Sequence, residues 1–96
     1  MESPEQLPTK IEKKFTVNNK LGLHARPAAL FVKTANAFRC EVSVKKGRQK
    51  VNGKSIMGIM TLAVQQGTPI FVITEGVDAQ AAMDELGKLI ESDFGE

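Results

Sequence analysis

The chain carries one histidine, His24, within the stretch "LGLHARPAAL" that runs from Leu21 to Leu30. An imidazole is a nucleophile near neutral pH whenever its neutral form is present. Gly22 stands just before it, Arg26 and Pro27 just after, and a run of helix formers begins at Ala25. A helix starting at Ala25 puts Pro27 in its first turn, where the missing N–H costs nothing and the fixed φ helps. The amides of Ala25, Arg26 and Ala28 then remain as donors, and with the helix dipole they form a site for an anion. Arg26 adds a permanent charge in a fork suited to phosphate. A phosphoryl group taken up by His24 would lie over that helix start, stabilised without a metal. The same residues also allow a plain reading. His24 would be a cap or loop residue, Arg26 a solvated helix residue, Pro27 a helix initiator and Gly22 a turn residue. The residues alone leave both open.

What the chain lacks narrows the chemistry. There is no second histidine to act as acid or base, no recognisable triad, and no metal-ligand cluster. The acidic residues lie elsewhere in the sequence, although folding can bring one close. The pattern favours a group carrier over a complete catalyst, with no cofactor. The single cysteine, Cys40, rules out an intramolecular disulfide and a cysteine metal site, and it reads as a small buried hydrophobe. A net charge of +2 is too small to argue for nucleic acid.

A second stretch, "NGKSIMGIM", raises phosphate chemistry again. "GKS" resembles a phosphate loop, but Gly47 and Gly53 enclose five residues where that motif has four. Ser55 reads instead as the N-cap of a second helix. A phosphate on Ser55 would add about −1.5 to −2 charge at that helix start and could repel or recruit a partner. Ile56, Met57, Ile59, Met60 and Leu62 crowd a helix too slim to bury them all. Either Met57 and Met60 form an adaptable docking patch or all five are core. Lys45, Lys46, Arg48, Lys50 and Lys54 make a basic hairpin without aromatic residues for base stacking, so a solvated edge that discourages aggregation is expected.

The elements that must position these residues follow from periodicity. Residues 1–9 are polar with two prolines and read as a flexible tail, without the apolar stretch of a signal peptide. Residues 10–96 form the domain. Ile11, Phe15 and Val17 alternate with Glu12, Lys14 and Thr16 in a half-buried strand, with Lys13 on the apolar side. A helix is expected from Ala25 to about Phe38 on the spacing of Ala28, Phe31, Val32 and Ala35. "CEVSVKKGRQKVNGK" is a hairpin with Cys40, Val42 and Val44 inward, turning at "KKG". A short helix is expected from Ser55 to Gly67, then the strand "TPIFVIT". Asp78 is expected to cap a last helix carrying Ala79, Ala82, Met83, Leu86 and Ile90. The order βαββαβα excludes a wholly parallel sheet and fits an α+β layer.

"GLHARPA" (Gly22–Ala28) and "KSIMGIM" (Lys54–Met60), in that order, resemble the HPr family, the histidine phosphocarriers of the bacterial phosphoenolpyruvate-dependent phosphotransferase system. The resemblance runs from about Lys10 to Phe94. It implies an open-faced β-sandwich, a four-stranded antiparallel sheet with three helices on one face. It implies that His24 accepts a phosphoryl group on Nδ1 from phosphorylated enzyme I and passes it to an EIIA domain, with Arg26 orienting and neutralising the group. Ser55 matches the family's regulatory serine, the target of an ATP-dependent HPr kinase/phosphorylase in many bacteria. Ile56, Met57 and Met60 match a docking surface shared by several partners, a regulatory protein among them. A cytoplasmic monomer is expected, with no nucleic acid and no membrane insertion. The motifs suit a sugar branch or a nitrogen-related branch equally. The rival readings are a regulatory binding module working through Ser55, a small acyl-phosphate hydrolase, and a basic nucleic-acid module.

Overall fold

The computed structural model describes residues 9–96, so the expected tail lies, apart from Thr9, outside the described residues. The elements are β1 (Thr9–Val17), α1 (Ala25–Ala35), β2 (Glu41–Lys46), β3 (Gln49–Asn52), α2 (Ile56–Thr61), β4 (Thr68–Gly76) and α3 (Ala79–Glu91), followed by a short 3-10 turn at Asp93–Gly95. The strands form one antiparallel sheet in the order β1-β4-β2-β3. β4, the most apolar strand, takes a central place, with Ile70 opposite Phe15 of β1 and Val72 opposite Val44 of β2.

Alternation sends one set of side chains from each strand into a common core. Phe15, Val17, Val42, Val44, Ile70 and Val72 meet Ala28, Phe31 and Val32 of α1, Ile59 of α2, and Ala82, Met83 and Leu86 of α3. Thr74 is the buried polar exception, and its hydroxyl donates to the Ala79 carbonyl at 2.9 Å. Glu12, Ser43, Lys45 and Phe71 occupy the other face, where Lys45 pairs with Glu12 at 3.6 Å and lies over the Phe71 ring. Lys13 does fall on the apolar side, and resolves the conflict by laying its ammonium over the Phe15 ring. Gly87, a weak helix former, sits where α3 crosses Phe15; a Cβ there would come 3.3 Å from the ring.

Four local expectations need correction. α1 ends at Ala35 rather than near Phe38. The Asn36 amide donates to the Val32 carbonyl, and the chain tightens through Ala37 N to Thr34 O and Phe38 N to Ala35 O. α2 has only six residues. Leu62 and Ala63 bond back to Ile59 and Met60, and Ala63 then turns left-handed at φ +52°, which stops the helix well before Gly67. The hairpin turns at Gly47 and Arg48, leaving Lys45 and Lys46 inside β2. Asp78 stands at the start of α3 but makes no side-chain cap. Its carboxylate instead accepts the amides of Arg39 and Cys40, both at 2.8 Å, and so pins the entry to β2. Those two donors, Arg39 foremost, hold the Asp78 carboxyl below its usual range. Cys40 is buried, and burial, followed by the Asp78 contact, pushes its thiol up.

Two lysines of the basic hairpin region serve helix ends rather than solvent. Lys46 donates to the Leu62 and Ala63 carbonyls after α2, and Lys54 donates to the Phe38 carbonyl after α1. Both satisfy carbonyls that helix termination leaves without partners. The expectation of a merely solvated edge is corrected for these two.

Candidate functional site

The loop before α1 is built around Gly22. Its φ is +66°, and a Cβ at this position would run into the Val64 carbonyl oxygen. That oxygen accepts the Leu23 amide at 2.9 Å. The turn after α2, forced by Ala63, is thus what the loop before α1 leans on. The first motif thus rests on the turn that follows the second, and Leu23 is buried beneath it.

His24 follows at the N-cap position of α1 in extended backbone, and its side chain makes no cap bond. About a third of the side chain is exposed. The first intrahelical bond runs from Ala28 N to His24 O at 3.0 Å. This corrects one expectation: the Ala28 amide is spent inside the helix, because the N-cap carbonyl already accepts it. Ala25 and Arg26 keep the outward amides, and Pro27, buried with Ala28, supplies no donor. Arg26 is exposed and makes no ion pair or side-chain hydrogen bond among the described residues, so its guanidinium is open to an incoming anion.

One feature of the site had no counterpart in the sequence motifs. Glu96 approaches the imidazole from the far end of the chain, with Oε2 3.1 Å and Oε1 3.5 Å from Nε2. Asn19, buried in the loop, donates from Nδ2 to the Gly22 carbonyl at 2.6 Å and to Glu96 Oε1 at 3.2 Å. The 3-10 turn after α3 brings Glu96 there. Its Phe94 inserts into the core despite φ +57°. The only sequence signal was the polarity of "NNKLG"; nothing marked Glu96.

Ser55 does cap α2, accepting the Gly58 amide on Oγ at 3.0 Å. Of the crowded apolar residues, Ile59 and Leu62 are buried, whereas Ile56, Met57 and Met60 are exposed, Met57 by 73%. The reading in which all five are core is corrected, because these three side chains face solvent. Among the described residues no three His, Cys, Asp or Glu cluster as a metal site, and no helix is long and apolar enough to cross a membrane. A groove of about 510 Å³ lies along β2 and β3 and includes no residue of the His24 loop. The imidazole lies outside that groove, with about a third of its side chain open to solvent.

The chain is similar to known proteins over most of its length. The family described as "PTS HPr component phosphorylation site" matches residues 11–92. The HPr-like protein Crh of Halalkalibacterium halodurans is 52% identical over 83 residues, covering 86% of this chain and 99% of the relative. The phosphocarrier protein HPr of Neisseria meningitidis serogroup A is 48% identical over 86 residues, covering 90% and 97%. The crystal structure of HPr-C-His from Thermoanaerobacter tengcongensis superposes with a TM-score of 0.87 at 52% identity, covering 90% and 97%.

Proposed function

This chain belongs to the HPr family of phosphocarrier proteins, and from that premise we propose that His24 is its phosphoryl acceptor, loaded by phosphorylated enzyme I and unloaded by an EIIA domain. The observation that carries the proposal is the His24 imidazole at the open start of α1, making no cap bond and standing beside Arg26, which has no ion pair among the described residues. The Nδ1 lone pair attacks phosphorus while the bond from phosphorus to the donor's own carrier atom breaks, and its electron pair returns to that atom. The Ala25 and Arg26 amides, the helix dipole and the Arg26 guanidinium receive the charge that arrives. Such transfer depends mainly on positioning and charge stabilisation, which two docked proteins can share. Contacts with donor and acceptor must be small and short-lived, since both use the same nitrogen in turn. The chain is a carrier and not an enzyme with its own turnover.

Ser55 is the proposed regulatory site, the target of an HPr kinase/phosphorylase, and Ile56, Met57 and Met60 the docking patch. Placing a phosphate on Ser55 would exchange a capping hydroxyl for about −1.5 to −2 charge beside that patch. The reading as a regulatory module draws on this exposed patch, and differs by needing no phosphohistidine. A nitrogen-related branch in place of sugar uptake would use the same His24 chemistry. The working unit is a monomer in the cytoplasm. The test is incubation with phosphoenolpyruvate and enzyme I. Acid-labile, stoichiometric label that vanishes in His24→Ala supports the carrier. An unlabelled wild type that takes ATP-derived phosphate on Ser55 supports the regulatory module instead.

A further inference from the structure

We propose that Asn19 and Glu96 are positioning residues that hold the His24 proton on Nε2 and leave Nδ1 bare as the nucleophile. This rests on the carrier reading of His24. The imidazole has two nitrogens, and the one that carries the proton in the neutral ring is set by its hydrogen-bond partner. Only Nε2 has a partner among the described residues, the Glu96 carboxylate at 3.1 Å. An ionised carboxylate accepts hydrogen bonds and donates none, so it selects the tautomer with the proton on Nε2. The lone pair then resides on Nδ1. The same carboxylate occupies the approach to Nε2 and repels a phosphoryl group there, which restricts transfer to one nitrogen.

Two features hold Glu96 in place, a bridge from Asn19 and the turn at Phe94. Asn19 Nδ2 bridges the Gly22 carbonyl and Glu96 Oε1, tying the carboxylate to the loop that carries His24. Asn19 is 5% exposed, and its Oδ1 is buried without a partner among the described residues. A buried amide with an unpartnered oxygen costs stability, and such a cost is characteristic of a side chain held for position. Phe94, with φ +57°, accepts backbone strain to bury its ring and turns the chain back toward the site. In the transfer step the new N–P bond forms at Nδ1 and the proton stays on Nε2. The ring becomes an imidazolium, and Glu96 offsets its charge until the phosphoryl group leaves.

The test is the nitrogen-15 spectrum of the unphosphorylated His24 ring, recorded where the ring is neutral. The wild type is expected to show a protonated Nε2 and a lone-pair Nδ1. Because the pair is partly exposed, Glu96→Ala should lower the ratio of that tautomer to the other by roughly three- to fivefold. The kcat for phosphoryl acceptance should fall by a similar factor, with KM for the donor unmoved. Asn19→Ala, shown to be folded by its amide spectrum, should move the ratio in the same direction by less. An unchanged ratio in Glu96→Ala, or a wild type protonated on Nδ1, overturns the proposal. An unchanged ratio in Asn19→Ala alone removes Asn19 from it. A wild type that accepts no phosphoryl group defeats the carrier reading and leaves the tautomer measurement standing.

Discussion

Replacing Gly22 with alanine places a methyl group where the fold has no room for one. The backbone there sits at φ +66°, which costs an L-residue roughly 1–2 kcal/mol. The new Cβ also meets the Val64 carbonyl oxygen, a backbone atom that cannot swing aside as a side chain can. Moving it stretches or breaks the bond from Leu23 N, worth about 1 kcal/mol. The sum is about 2–3 kcal/mol, a large part of the roughly 5–15 kcal/mol that stabilises a domain. Thermal unfolding followed by circular dichroism should show a drop in Tm of roughly 8–24 °C, at about 4–8 °C per kcal/mol for a domain of this size. Gly47→Ala separates the two causes. Gly47 has φ +58° but nothing within 4 Å of its added Cβ, so only the conformational cost remains. Gly47→Ala should melt clearly above Gly22→Ala and keep full phosphoryl acceptance, whereas Gly22→Ala displaces His24 and loses most of it. Equal melting of the two variants would refute the claim that the turn after α2 braces the His24 loop.

Two further outcomes follow from side chains that close element ends. Asp78 has a folded-state pKa below its ordinary value of 3.8, so its contribution to stability is full above that value and is lost as pH falls through the folded one. Asp78→Asn should therefore be less stable than wild type near neutral pH and lose less stability on acidification, the two denaturant midpoints converging well below pH 3.8. Parallel curves down to the lowest pH would contradict the clamp on Arg39 and Cys40. Ser55→Ala removes the α2 cap and should cost about 1 kcal/mol, or about 4–8 °C in Tm, and a melting point equal to wild type would show that the Oγ bond to Gly58 contributes nothing.

What could be read from the sequence was what lies close along it. His24, Arg26 and Pro27 announce a helix start because capping and proline rules act within one turn, and Ser55 caps α2 for the same reason. Alternation in "CEVSV" and helical spacing in Ala79–Ile90 placed the core residues of β2 and α3, since a wrong register would expose them. The misplaced details depend on distant partners. Asp78 has the residue type of a cap, yet two amides 39 and 38 residues away claim its carboxylate. α2 stops early because Ala63 turns left-handed, and the Val64 carbonyl beyond that turn takes the Leu23 amide, a pairing no local rule encodes. Glu96 lies 72 residues from His24, and only the fold of Phe94 into the core brings them together.

As the proposed acceptor, His24 would carry its phosphoryl group on one particular nitrogen, Nδ1. Phosphorus–nitrogen correlation by NMR, on nitrogen-15-labelled protein loaded with phosphoenolpyruvate and enzyme I, reads that atom directly. One phosphorus per chain is expected, coupled to Nδ1 of His24, with the proton retained on Nε2 beside Glu96. Phosphorus on Nε2, or on Ser55 with the imidazole unmodified, would contradict it.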